Sequence, residues 1–176
     1  QIQKSQEEVV DDANIKAELL PPMLANVDAD NITKINFDAE HTAGRKVYIQ
    51  PKLNGTRGVA ALNIKAAADP AESAILYTRK RKIITGLKYI QNETFRVLNT
   101  LYEEHKIRFR LDGEFYLHGT PLELISGAMR KEKEGEESEL KLQYHVFDVF
   151  SEDKPETNFT ERMKWINFVK AYIDNN

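Results

Sequence analysis

Lys46–Ile64 reads KVYIQPKLNGTRGVAALNI. Lys46 to Gln50 alternates apolar and polar residues, which predicts a short strand, and Pro51 interrupts it. Asn54-Gly55 is a turn signal. From Arg57 to Ile64 the apolar character resumes, which predicts a second strand and makes the pair a hairpin. A lysine, Lys52, therefore sits at the end of a strand beside a tight turn, with an arginine, Arg57, five positions later (57 minus 52). A lysine used as a nucleophile must lose its proton, and its free pKa is about 10.4. Neighbouring positive charge and partial desolvation favour the neutral amine. Arg57 offers that charge, and a planar fork able to clamp a phosphate. Gly55 lets the backbone approach a ligand closely. The same six residues also read as a surface hairpin with ordinary charges.

Outward from this stretch the pattern predicts an α+β chain. Ser5 with Glu8 has the form of a capping box and opens a helix to about Leu20, which Pro21-Pro22 stops. Ala39 to Gly44 reads as a turn-rich bridge, Asp69 to Ser73 as a loop and Ala74 to Arg79 as a third strand. Leu87, Ile90, Val97, Leu98 and Leu101 fall on one face of a helix spanning Gly86 to His105. Ile107 to Leu111 and Glu114 to Leu117 read as strands around an Asp112-Gly113 turn or bulge. Leu122 to Arg130 reads as a short helix, Lys131 to Glu139 as a charged loop and Leu140 to Phe150 as a central strand. Asn158 with Glu161 opens a last helix whose inner face is Phe159, Met163, Ile166, Val169 and Ile173. Mostly antiparallel strands flanked by helices follow.

The chain has 176 residues, 41% of them hydrophobic, which is enough for one domain with a core. It contains no cysteine, so disulfide frameworks and thiolate metal sites are excluded. No apolar run is long enough for a bilayer, and Gln1 to Asp12 lacks the character of a secretory signal. An intracellular, unsecreted protein that does not enter a membrane is expected. The net charge of -3 rules out a globally basic surface, although Arg79 to Lys82 reads RKRK. That run serves either a nucleic-acid backbone or a solvated surface.

Two later stretches carry chemistry. Arg110 to Tyr116 reads RLDGEFY, with Asp112 and Glu114 alternating so that both can face one side. Paired carboxylates there suit a divalent metal or sugar hydroxyls, and Asp-Gly alone suits a bulged hairpin. Tyr144 to Phe150 reads YHVFDVF. Phe147 near a strand end can stack on a base, and the stretch equally suits a core strand.

Together these pieces resemble the covalent nucleotidyltransferase superfamily of DNA ligases, RNA ligases and messenger-RNA capping enzymes. That family carries K-x-D-G-x-R, then D-G-E, then F-D. Here Glu114 follows Lys52 by 62 residues (114 minus 52), and Phe147 follows Glu114 by 33 (147 minus 114). Pro22 to Ala25, Tyr77-Thr-Arg79 and Glu161-Arg162 resemble connecting segments of ATP-dependent DNA ligases, and Leu111 to Gly119, Leu124 to Gly127 and Tyr144 to Phe150 resemble particularly those of large DNA viruses and phages. Asn54 stands where most of the family has Asp, and Thr78 where Ser is usual.

The resemblance implies an ATP-grasp-like nucleotidyltransferase fold and a lysyl-AMP mechanism with ATP and Mg²⁺. It implies Lys52 as nucleophile, with Arg57 and Glu114 completing the catalytic set. It places Gln50, Lys52, Leu53, Asn54, Arg57, Glu114 and Phe147 around ATP, Glu114 as a metal ligand, and Arg79 on the 5′-phosphate of a nick. The implied partner is nicked duplex DNA, handled by a monomer in replication, repair or recombination. RNA ligase and guanylyltransferase are the neighbouring alternatives, and a non-catalytic nucleotide-binding or nucleic-acid-binding fragment is a third of another class. No E-G or K-x-K motif follows Phe150. Residues 1–20 are thus expected to be a helical segment or the remnant of a preceding domain. Residues 21–176 are expected to be an incomplete adenylation domain, without its late motifs and OB domain.

Overall fold

A computed structural model describes residues 21–22, 36–44, 46–63, 73–130 and 141–175. The elements are α1 (Phe37–Thr42), β1 (Thr56–Leu62), β2 (Ala74–Thr78), β3 (Ile83–Ile84), α2 (Lys88–His105), β4 (Phe109–Tyr116), α3 (Leu122–Met129), β5 (Gln143–Ser151) and α4 (Phe159–Asp174). The strands form one sheet in the order β3-β2-β1-β4-β5, with every neighbouring pair antiparallel. This is the expected α+β arrangement. The expected last helix is α4; the helix expected up to about Leu20 and the loop from Lys131 to Glu139 lie outside the described residues.

Strand alternation separates the sheet into two faces. On one face Ala60, Leu76, Phe109, Leu111, Phe115 and Val149 join the main core. Helix α2 lies against it through Ile90, Val97, Leu98 and Leu101, which with buried Thr94 recur at spacings of three and four residues and make one stripe. Lys106 closes α2 in the left-handed region (φ 54°), and its N–H donates to the Tyr102 carbonyl. The opposite face carries a smaller cluster of Val59, Ala61, Tyr77 and Phe150 together with the charged groups described below.

Several expectations need correction. Lys46 to Gln50 joins no ladder, so the expected hairpin does not form; β1 instead pairs with β2 and β4. Its alternation is misleading because Val47 and Ile49 both point outward, with 42% and 87% exposure. Part of the bridge from Ala39 to Gly44 is helical, because the Asn36 side chain caps the Ala39 N–H at 3.0 Å and so starts α1. Strand β3 was not expected. Leu140 to Phe150 yields β5, which stands at an end of the sheet instead of its centre. In α4 the Asn158 cap is present, accepting from the Glu161 N–H at 3.0 Å. The inner face, however, is rotated: Trp165, Phe168 and Tyr172 pack on the core beside Ile166 and Val169, while Ile173 is 57% exposed.

Asp112-Gly113 makes no turn, and β4 runs through it. The register passes from Asp112↔Asp148 to Gly113↔Val146, so Phe147 is an extra residue bulged from β5. Gly113 permits this close approach, since a Cβ there would lie 2.6 Å from the His145 carbonyl oxygen. Tyr144 stacks on Phe115 (centroids 4.7 Å) and donates to the carbonyls of Gly58 and Leu111, tying three strands together.

Candidate functional site

The charged face of the sheet is assembled from the ends of β1, β4 and β5. Arg57, Glu114 and His145 form one row across the three strands, and Val59, Asp112 and Asp148 form the next. Arg57 donates to Asp112 through Nε (3.0 Å) and Nη2 (2.6 Å), a two-point pair on a carboxylate whose side chain is 1% exposed. Burial pushes the Asp112 carboxyl above the usual carboxylate range, and the Arg57 guanidinium opposes that rise. The hydrogen bond to Asp112 in turn strengthens the proton affinity of Arg57. The guanidinium also lies 5.3 Å from the centre of the Phe147 ring, so the bulge aims this aromatic at the arginine.

Glu114 accepts a hydrogen bond from the Gly55 N–H at 3.0 Å. Burial raises its pKa, opposed by the Gly55 N–H and by the positive charges of Arg57 and Lys52. The turn that carries Lys52 is thereby held to β4. Gly55 is required for that contact: a Cβ would lie 2.2 Å from the Phe115 carbonyl oxygen and 2.9 Å from Glu114 Cγ. Gly55→Ala is therefore expected to lose about 2 kcal/mol of stability, read as a lower urea midpoint at unchanged slope. An unchanged midpoint would contradict the close approach.

Gln50 donates from Nε2 to the Phe147 carbonyl at 2.8 Å, which ties the segment before the lysine to the bulge. The structure thus brings Gln50, Gly55, Arg57, Glu114 and Phe147 into linked contact. Lys52 and Asn54 are exposed on the connecting loop and Leu53 is half-buried. Arg79 is exposed in the turn between β2 and β3, closed by Arg81 N–H to Thr78 O (2.7 Å), and makes no side-chain contact with the others among the described residues. Asp112, read from the sequence as half of a metal-binding pair, is engaged by Arg57. Glu114 remains the carboxylate suited to a cation. Among the described residues there is no cluster of three or more His, Asp or Glu side chains able to hold a metal on their own.

The sequence reading passed over Asp148. It accepts from Arg162 Nε at 2.9 Å and so anchors α4 to β5 beside the bulge. The signal was available in the Phe147-Asp148 and Glu161-Arg162 pairs.

Residues 22–172 match the family model described as "ATP dependent DNA ligase domain". The chain belongs to that family. It is 34% identical over 142 residues to a DNA ligase of African swine fever virus (isolate Warthog/Namibia/Wart80/1980), covering 81% of this chain and 29% of that protein. A second isolate (Tick/South Africa/Pretoriuskop Pr4/1996) gives 35% identity over 136 residues, covering 77% of this chain and 28% of the relative. This ligase-family chain therefore spans under a third of the length of these relatives. Among solved structures, "Pmar-Lig_PreS3" superposes with a TM-score of 0.51 at 18% identity, over 71% of this chain and 26% of that one, which supports the fold. No helix among the described residues of the ligase-family chain is long and apolar enough to cross a membrane.

Proposed function

We propose that this chain supplies the first part of the adenylation domain of an ATP-dependent DNA ligase and that Lys52 accepts AMP. Residues 21–176 would form that part, and residues 1–20 a preceding helical segment. The observation that carries this reading is the Gly55–Glu114 hydrogen bond of 3.0 Å, which fastens the lysine turn to the second carboxylate motif. Lys52 Nζ, once neutral, attacks the α-phosphorus of ATP. A P–N bond forms, the α–β bridging P–O bond breaks, and pyrophosphate leaves. Arg57, held rigid by Asp112, would face the ribose or phosphates. Glu114 would bind the ribose or a cation, Phe147 would stack on the base, and Gln50 would meet its exocyclic amine. When bound, Mg²⁺ supplies charge neutralisation at the phosphates. AMP would then pass to the 5′-phosphate of nicked duplex DNA, which Arg79 would hold, before the 3′-hydroxyl displaces it. The protein would act as an intracellular monomer in DNA replication, repair or recombination.

Base selection tests the reading. With Mg²⁺ present, α-labelled ATP is expected to label the denatured chain and α-labelled GTP is not. Label from GTP alone would assign a guanylyltransferase. Sealing of nicked RNA in preference to nicked DNA by a chain extended past Asn176 would assign an RNA ligase.

A further inference from the structure

A cavity of about 290 Å³ opens on the helix-covered face of the sheet, behind the lysine turn. Its walls come from the start of β1, the β2–β3 hairpin and the last turn of α3. Thr56 pairs with core-facing Phe115, and Thr78 follows core-facing Leu76 by two residues, so both hydroxyl-bearing side chains face away from the row of Arg57 and Glu114. Thr56 Oγ1 and Ser126 Oγ lie 3.3 Å apart inside it. Lys82 and Arg130, both exposed, stand at the wall, and Met129 forms part of the apolar floor. None of the lining side chains is acidic.

Two cations and the four hydroxyls of Thr56, Thr78, Thr85 and Ser126 around one small concavity, without a carboxylate among them, form an anion site. The last-turn carbonyls of α3 add partial negative charge, which two full positive charges outweigh. A phosphate fits the volume and the donor set better than a carboxylate ligand, because hydroxyls and cations approach it from several directions. The adjoining Arg79–Lys82 hairpin extends the same positive charge along the surface. We propose that this cavity seats a backbone phosphate of the nucleic-acid strand, with Lys82 and Arg130 as the contacting cations. The identity of the partner rests on the ligase reading above. The site itself is separate from the nucleotide-facing row and is not needed for lysine adenylylation.

The test measures two things on the full chain and on Lys82→Ala/Arg130→Ala. The first is ATP-dependent covalent labelling. The second is affinity for a nicked duplex as a function of salt. Labelling is expected to be unchanged. Nicked-duplex binding is expected to weaken more than about tenfold near 0.1 M salt, with the log–log salt slope shallower by about 1 for each cation removed. The conservative pair Lys82→Arg/Arg130→Lys should keep the parental slope. Lys154→Ala/Lys170→Ala, which removes equal charge from exposed positions elsewhere, should change the slope less. Equal affinity and slope for the parent and the alanine pair, or no measurable binding by the parent, would overturn the proposal. Loss of inhibition by inorganic pyrophosphate in the labelling assay, with DNA binding intact, would also overturn it by assigning the cavity to the nucleotide. Failure of labelling in the parent, with the salt effect present, would instead defeat the adenylylation reading and leave the phosphate site standing.

Discussion

Lys52→Ala is expected to carry no label after incubation with Mg²⁺ and α-labelled ATP, whereas the parent chain carries a covalent adduct that survives denaturation. The loss should be complete, because the side chain supplies the bond-forming atom and no neighbour substitutes for it. Lys52→Arg should be equally silent: it keeps the charge, but its guanidinium stays protonated and does not act as a nucleophile. Reversible ATP binding should persist in both variants, since Gln50, Arg57, Glu114 and Phe147 are linked to one another independently of the lysine side chain. Label on Lys52→Ala would place the nucleophile elsewhere. Silence in the parent as well as in a longer chain continuing past Asn176 would defeat the lysine assignment altogether.

The second large effect concerns stability. Arg57→Ala strands the Asp112 carboxylate, which is 1% exposed, without its two-point partner. Removing one member of such a buried pair costs several kcal/mol; because Arg57 is 25% exposed, about 2 to 3 kcal/mol near neutral pH is expected. The sign of the pH dependence follows from the raised carboxyl. Asp112 already binds its proton more tightly folded than unfolded, and loss of Arg57 raises it further. A group raised in this way favours the fold most below the ordinary carboxylate range and loses that contribution as pH rises through its folded value. The destabilisation should therefore grow between about pH 4 and pH 7. Urea unfolding at both ends of that window measures it, and an equal loss at both would sink the explanation. Adding Asp112→Asn should flatten the pH dependence.

What was legible in the sequence follows the strength of its periodicities. Helix α2 was readable because Ile90, Val97, Leu98 and Leu101 fall on one helical face over about three turns. Strands β1 and β2 were readable because small and branched apolar residues run between clear breakers. The two-residue strand β3 was not, since Ile83-Ile84 behind four basic residues has no length over which to alternate. Lys46 to Gln50 failed for the opposite reason: it alternates, but it joins no ladder among the described residues. For α4, the cap fixed where the helix begins but not its rotation. Trp165 and Tyr172, amphipathic side chains that a strict apolar stripe omits, turn the inner face away from Ile173. In the site, the motif residues and their spacing were visible. The ion pair of Arg57 with Asp112 was not, because it is a diagonal contact between β1 and β4, and the hairpin expected from the sequence gave β1 a different neighbour.

That bulge also frees one aromatic from the arithmetic of the sheet. Tyr144 and Val149 are separated by an odd number of positions, yet both reach the helix-covered side because Phe147 is left out of the count. In an unbroken strand, adding or removing a residue at that height would flip the in-and-out assignment of those beyond it. Here the ring belongs to no rung of the ladder. Its size and reach can drift without altering which side of the scaffold any other residue occupies, so the surface proposed to meet a base is adjustable on a frame that stays fixed.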